Sequence, residues 1–110
     1  MSELKSIDET LSFIRDSAPK IAKAKSERIY LENYKKSLFA ILYSQAPPGT
    51  VADRENYAYS DPKYIDHLEA LKIAVFEEEK IRWLLTASEL RVEVWRSEQA
   101  NNRFIDRVHT

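Results

Sequence analysis

The sequence contains no cysteine, one glycine and four prolines among 110 residues. Without cysteine the chain forms no disulfides and no thiolate metal sites, and it carries no thiol nucleophile. One glycine is too few for the glycine-rich loops that hold phosphate groups. Three of the prolines lie in or beside one short region, so the composition favours long helices joined by a single connection.

Histidine is also scarce, and the familiar catalytic motifs are missing. A helical di-iron site needs Glu-x-x-His on facing helices, but no ligand residue lies near His67 on its helical face, and His109 stands almost at the end of the sequence. The sequence has no G-x-S-x-G elbow. We therefore expect no metal, no cofactor and no catalytic residues, and we predict that the protein is not an enzyme.

Long apolar runs are absent as well. No stretch approaches the roughly 20 apolar residues of a membrane span, and the opening MSELKSIDET has no apolar core of a signal peptide. Hydrophobic residues make up 44% of the chain and charged residues 32%, which suits a folded core. The sequence predicts one helical domain over residues 1–110, cytoplasmic and without membrane contact.

Capping residues and apolar periodicity predict three helices. Ser6 and Glu9 have the spacing of a capping box ahead of an apolar series. Pro19 lacks an amide hydrogen, so it marks the first turn of a second helix. Asp61 and Pro62 have the chemistry of an N-cap and a first helical residue. The predicted helices span residues 6–17, 19–45 and 62–102.

The segment 46–61 is predicted as a loop. Pro47-Pro48-Gly49 stops the preceding helix, and the segment is longer than the usual connection between helices. Tyr57 and Tyr59 are expected to hold it against the helix ends, and an alternative interpretation is a recognition loop. The predicted fold is all-α: a long antiparallel helical hairpin with an extra short N-terminal helix.

The third helix carries apolar residues on more than one side. Its first part has a seam with 4-3-4 spacing, made of Tyr64, Leu68, Leu71 and Val75. That seam then meets Glu78 and Arg82, which are poor core residues, so FEEEK is predicted to be solvated. Beyond it run two apolar lines: Ile81, Leu85, Ser88, Val92 and Trp95, and then Trp83, Ala87, Leu90 and Val94.

Two apolar lines on different sides of one helix imply burial from two directions. The chain itself covers one line, and a second copy is the simplest cover for the other, giving an oligomeric helical bundle or coiled coil. We predict a homo-oligomer, a dimer or larger, with interface residues Trp83, Leu90, Val94 and Trp95. The alternative is a monomer in which both tryptophans pack against the N-terminal segment.

Basic residues concentrate in one part of the chain although its net charge is only −1. The favoured interpretation is that these cations solvate helix faces and pair with glutamates. The alternative is a nucleic-acid-binding face that includes Tyr30 and Tyr34, in which cations contact phosphates and rings stack on bases. The predicted face comprises Lys20, Lys23, Lys25, Arg28, Lys35 and Lys36.

LENYKKSLFAIL (31–42) and FEEEKIRWLLTASELRVEVWRSEQANNR (76–103) are the distinctive strings of the sequence. Through them the chain resembles small helical proteins encoded by tailed bacteriophages and prophages, often near early replication and recombination genes. The resemblance implies an accessory function in phage DNA metabolism through protein contacts. It also implies the cytoplasm of a bacterial host and a phage or host protein as partner. It brings no catalytic residues with it.

Overall fold

A computed structural model describes residues 6–109, and within that range it contains three helices and no strand. Helix α1 spans Ile7–Gln45, α2 spans Val51–Ser60 and α3 spans Pro62–His109. The all-α prediction is confirmed. The chain divides into two compact units. Unit 1 combines α1 up to Ile21 with α3 from Lys80 onward, and unit 2 is Ala22–Glu79. The prediction of a single domain stays a prediction.

Helix α1 is continuous, so the predicted break between residues 17 and 19 is wrong. Pro19 lies inside the helix, where it leaves the carbonyl of Arg15 without its usual donor. Both residues are exposed, and water can therefore satisfy that carbonyl. The predicted start is close to the observed one, because the amide of Glu9 donates to Ser6 Oγ at 3.2 Å.

Helix α2 corrects the predicted loop 46–61. The amide of Asp53 donates to Thr50 Oγ1 at 3.1 Å, and the amide of Thr50 donates to Asp53 Oδ2 at 3.2 Å. These two bonds form a capping box, which satisfies amides that have no partner at a helix start. Within residues 46–61, only those on either side of Val51–Ser60 are therefore non-helical.

Asp61 separates α2 from α3, as its sequence context predicted. Its backbone amide donates to the carbonyl of Ala58 at 3.3 Å, and its carboxylate accepts from the amide of Lys63 at 2.8 Å. Pro62 follows as the first residue of α3. At the other end α3 continues past the predicted boundary at residue 102 and reaches His109.

In unit 2 the α1 and α3 segments run antiparallel. Arg28 contacts Glu78, Tyr34 contacts His67 and Phe39 contacts Tyr64. Residue numbers therefore increase along α1 as those of the contacted residues on α3 decrease. The buried core is made of Leu38, Leu42, Ala58 and Tyr64, with Phe39 and Tyr43 packed against it. Helix α2 contributes Ala58 to this core, and it does so fully buried.

Burial in unit 2 follows alternating steps of three and four residues, the spacing of a coiled-coil seam. The predicted seam through Leu68 and Val75 is wrong by one position, because both are exposed and His67 and Ala74 lie inward instead. The seam positions, all less exposed, are Ala24, Arg28, Leu31, Lys35, Leu38 and Leu42 on α1, and Tyr64, His67, Leu71, Ala74 and Glu78 on α3.

Unit 1 shows the same spacing with a different composition. Its inner seam consists of Ile7, Thr10, Ile14, Ser17 and Ile21 on α1, and of Ile81, Leu85, Ser88, Val92, Trp95 and Gln99 on α3. Thr10 Oγ1 donates to the carbonyl of Ser6 at 3.0 Å, and Ser88 Oγ donates to that of Leu84 at 2.9 Å. These seam hydroxyls are thus satisfied within their own helices.

Candidate protein-contact surface

A row of exposed apolar side chains runs along α3 in unit 1. Trp83 is 67% exposed, Leu90 62% and Val94 52%, and Ala87 between them is exposed too. Their 4-3-4 spacing continues through Ser97 and Asn101 to Phe104 and Val108, whose side chains are again exposed. We call these eight positions the outer stripe: Trp83, Ala87, Leu90, Val94, Ser97, Asn101, Phe104 and Val108.

The outer stripe lies on the side of α3 away from the inner seam of unit 1. Trp83 follows the seam residue Ile81 by two positions, and Leu90 follows Ser88 by two. Two residues turn an α-helix by about 200°, so the two rows point in nearly opposite directions. In unit 1, α3 therefore presents two apolar faces, and the described part of α1 in this unit covers only the inner one.

Trp95 does not belong to the outer stripe with the other three predicted interface residues. It follows Val92 by three positions and Ser88 by seven, which places it on the inner seam, where it is half-buried. Trp83, Leu90 and Val94 share the outer face. The four predicted interface residues thus lie on two different sides of α3, and their function as an interface stays a prediction.

One edge of the outer stripe has two charged residues between two apolar ones. Leu84, Arg91, Glu98 and Ile105 follow one another at intervals of seven, and Leu84 and Ile105 are exposed. Arg91 is half-buried, and its Nε is buried without a hydrogen-bond acceptor. By contrast, Arg96 and Glu93 form an ion pair with each other at 3.1 Å.

The two units differ in what they bury. Across the described residues, every buried hydrophobic side chain belongs to unit 2: Leu38, Leu42, Ala58, Tyr64 and Ala74. The buried residues of unit 1 are Thr10 and Ser17, both polar. The inner seam of unit 1 is mostly apolar but only half-buried, and its fully buried positions are hydroxyl residues, so this unit lacks a well-buried hydrophobic core.

The predicted basic face does not form one surface. Lys20 belongs to unit 1, whereas the other five cations belong to unit 2. Within unit 2, Lys23 and Lys25 point about 200° apart on the helix. Arg28 is turned inward on the seam, and Lys35 is half-buried. Only Lys35 and Lys36 are brought together with aromatic side chains.

Arg28 is held by two carboxylates and is not available to a phosphate. Its Nη1 donates to both oxygens of Glu32, at 3.1 and 3.0 Å. Its Nε and Nη2 donate to the two oxygens of Glu78, the latter bond measuring 3.1 Å. The hydrogen bonds from Glu78 and then Glu32 raise the pKa of Arg28 further above its already high value. Glu78 is therefore a seam residue, and the prediction that FEEEK is wholly solvated is wrong at this position.

Unit 2 also contains an open groove that the sequence did not reveal. It has a volume of about 280 Å³ and is lined by Lys35, Lys36, Phe39, Tyr59 and Tyr64. The ring of Tyr59 lies 4.7 Å from that of Phe39 and 5.4 Å from that of Tyr64, between centroids. Helix α2 supplies Tyr59, so the groove does not follow from a prediction that makes 46–61 a loop.

His67 has a structural partner. Its Nε2 lies 2.7 Å from the carbonyl oxygen of Leu31, to which the ring N–H donates, and its ring tilts against Tyr34. Between residues 6 and 109, the acidic and histidine side chains form no group of three that could hold a metal ion. The same range contains no helix with the length and apolarity to cross a bilayer.

The chain matches no protein-family model, no curated protein and no solved structure. The resemblance to phage-encoded helical proteins therefore stays a prediction. What the chain does must be argued from its own surfaces, of which the outer stripe extends over eight positions of α3.

Proposed function

We propose that this chain is a non-catalytic helical protein that self-associates through the outer stripe of unit 1 and works through protein contacts. The observation that carries the proposal is the exposed apolar stripe of unit 1, a unit with no fully buried hydrophobic residue among those described. Trp83, Leu90 and Val94 are more than half exposed there, while Thr10 and Ser17 are buried. A second copy laid on the stripe would bury the apolar residues that this unit leaves in water.

The expected strength of this contact is moderate. Fully burying a large apolar side chain contributes about 1.5–3 kcal/mol, and those of Trp83, Leu90 and Val94 are a little over half exposed. Six such side chains, three from each copy, would contribute roughly 5–11 kcal/mol. Association costs about 4–15 kcal/mol, so the rest of the stripe is needed for a stable pair.

Light scattering coupled to size exclusion tests the proposal. At tens of micromolar, the protein should show twice the 12.9 kDa mass of one chain, or a higher multiple. Leu90→Asp puts a charge in the middle of the stripe and should return the mass to that of one chain, because an unpaired buried charge is costly. A wild-type protein that stays monomeric under these conditions would contradict the proposal.

Val51→Asp is the matched control for that substitution. Val51 is 62% exposed, like Leu90, but it is the first residue of α2 in unit 2. An added carboxylate is favourable at a helix start, so this variant should fold and keep the wild-type mass. Circular dichroism on both variants confirms that the helices persist, which separates loss of association from loss of folding.

The biological setting that we propose is phage DNA replication or recombination, where the protein would be an accessory factor. This part rests on the resemblance of residues 31–42 and 76–103 to phage-encoded proteins. A tagged wild-type chain and the Leu90→Asp variant, used as parallel baits in bacterial extract, would identify a phage or host partner by mass spectrometry. A partner lost with Leu90→Asp depends on the assembled form.

A second candidate function is nucleic-acid binding at the groove of unit 2. Its support is the placement of Lys35 and Lys36 beside the rings of Phe39, Tyr59 and Tyr64. Cations beside exposed rings suit a single strand, because they contact phosphate while bases stack. The proposed face is thus narrower than the six cations named from the sequence, and it excludes Arg28.

Fluorescence anisotropy with a labelled single strand tests this second candidate. Binding should weaken steeply as salt rises, since phosphate contacts release counterions. Lys36→Glu and Tyr59→Ala should each weaken it, whereas Lys72→Glu should weaken it less. Lys72 lies outside the groove and contacts Glu69 at 3.8 Å. Absence of binding at low salt would contradict this candidate function. An equal loss of affinity in all three variants would show that binding does not depend on the groove.

A further inference from the structure

We infer that two copies pair antiparallel along the outer stripe in one register, with Arg91 of each copy facing Glu98 of the other. This inference rests on the proposed self-association and adds its orientation. The stripe has heptad spacing, so a second helix can pack into it as in a coiled coil, and the residues along its edges then decide direction and register. The decisive edge is Leu84, Arg91, Glu98 and Ile105.

This edge is complementary to a second copy of itself that runs in the opposite direction. In an antiparallel pair, each edge of the stripe faces the same edge of the second copy. Centring the pair between residues 91 and 98 sets Arg91 against Glu98, twice by symmetry, and Leu84 against Ile105. Opposite charges meet, and exposed apolar residues meet, without a like-charge contact on this edge.

The state of these charges within one chain agrees with such a pairing. Neither Arg91 nor Glu98 forms an ion pair among the described residues, although Glu93 and Arg96 between them do. Arg91 also lacks a hydrogen-bond acceptor at its buried Nε. A carboxylate from a second copy would supply the counter-charge that Arg91 does not have in its own unit.

Other alignments bring like charges together. In a parallel pair, the edge that carries Glu98 lies beside the other edge of the stripe on the second helix. That other edge carries Glu93, so Glu93 of one copy faces Glu98 of the other. An antiparallel pair shifted toward the start of α3 by one heptad sets Arg91 against Arg91. Shifted by one heptad the other way, it sets Glu98 against Glu98. Like charges in direct opposition disfavour an alignment, which makes these alternatives less stable than the inferred one.

The residues of the stripe also fit in the inferred register. Ala87 faces Phe104 of the second copy, a small residue against a large one, and Trp83 faces Val108. Leu90 faces Asn101, and Val94 faces Ser97. The two polar residues weaken the contact but help to select one register, as a single polar position does in coiled coils.

Cysteine cross-linking tests the register directly, because the chain has no cysteine of its own. The double variant Ala87→Cys/Phe104→Cys, oxidised mildly at the concentration where wild type associates, should become a covalent dimer on a non-reducing gel. Its two thiols lie about 25 Å apart along one helix, too far to close within a chain. Ala87→Cys alone should stay largely uncross-linked.

Two outcomes would overturn the register. Efficient cross-linking of Ala87→Cys alone would indicate a parallel pair. Cross-linking of Ala87→Cys/Ser97→Cys in place of Ala87→Cys/Phe104→Cys would indicate the pair shifted by one heptad. If no variant cross-links while light scattering still shows a dimer, this register is wrong and self-association stands. If the wild type is monomeric, the proposed function itself fails.

Charge reversal gives an independent measurement of the Arg91–Glu98 contact. Glu98→Arg should weaken association by roughly three- to tenfold, because it sets two arginines together twice in each dimer. Adding Arg91→Glu in the same chain restores opposite charges and should recover most of the affinity. A double variant that binds no better than Glu98→Arg contradicts the inferred contact, provided that both variants keep wild-type helicity.

Discussion

Arg28 of α1 and Glu78 of α3 form an ion pair within unit 2. Both residues occupy seam positions in unit 2, where their side chains are 24% and 13% exposed. Apolar periodicity cannot place a charge on a seam, because the pairing becomes visible only when two helices fifty residues apart are aligned. A charged pair in such a seam commonly lowers stability relative to apolar residues while it selects the alignment of the helices.

Leucine substitutions at these two positions separate the contributions. Arg28→Leu and Glu78→Leu should each lower the melting temperature, because each leaves a half-buried charge short of a partner. The double variant Arg28→Leu/Glu78→Leu should melt at or above the wild-type temperature, since it replaces the pair with apolar seam residues. Thermal unfolding followed by circular dichroism measures all four proteins as a double-mutant cycle.

The exposed pair of Lys72 and Glu69 is the control for that cycle. Its side chains are 78% and 65% exposed and lie 3.8 Å apart, so leucine at either position should change the melting temperature little. A double variant at 28 and 78 that melts clearly below wild type would contradict this prediction, because leucines at the seam would then stabilise unit 2 less than the charged residues do.

At the scale of elements, the boundaries predicted from local chemistry were the accurate ones. Ser6 and Asp61 accept from nearby amides as their sequence contexts indicated, and α3 begins at Pro62. The break predicted at Pro19 is wrong because residue 19 lies on the exposed side of α1, where a missing hydrogen bond costs less. Helix α2 was not predicted because Pro47-Pro48-Gly49 indicates the end of a helix, although Thr50-x-x-Asp53 has the spacing of a capping box.

The candidate surface could be predicted in outline and not in detail. The period of α3 showed two apolar lines, and the spacing of Trp83, Ala87, Leu90 and Val94 was sufficient to draw one of them. Which line the chain covers itself could not be deduced, since both are equally apolar. That choice depends on which residues α1 presents in unit 1, and those include Thr10 and Ser17, which no hydrophobicity pattern would select.

At the scale of the whole molecule, the two units differ in how completely they bury hydrophobic side chains. Unit 2 buries Leu42 and Ala58 almost completely and adds a cluster of aromatic rings. Unit 1 has no fully buried hydrophobic residue among those described, so its exposed apolar residues are the natural source of further stability. Association that buries the outer stripe would couple folding to protein concentration, because a partner that binds only the folded chain stabilises it by mass action.

The melting temperature should therefore rise with concentration. For a dimer that unfolds to separate chains, each tenfold increase in concentration adds about 1.4 kcal/mol, which corresponds to roughly 3–6 °C for an assembly of this size. Scanning calorimetry from low to high micromolar measures the slope. Leu90→Asp should abolish it, whereas Val51→Asp should preserve it. A wild-type melting temperature independent of concentration across that range would mean that unit 1 is stable alone, with its outer stripe left in water.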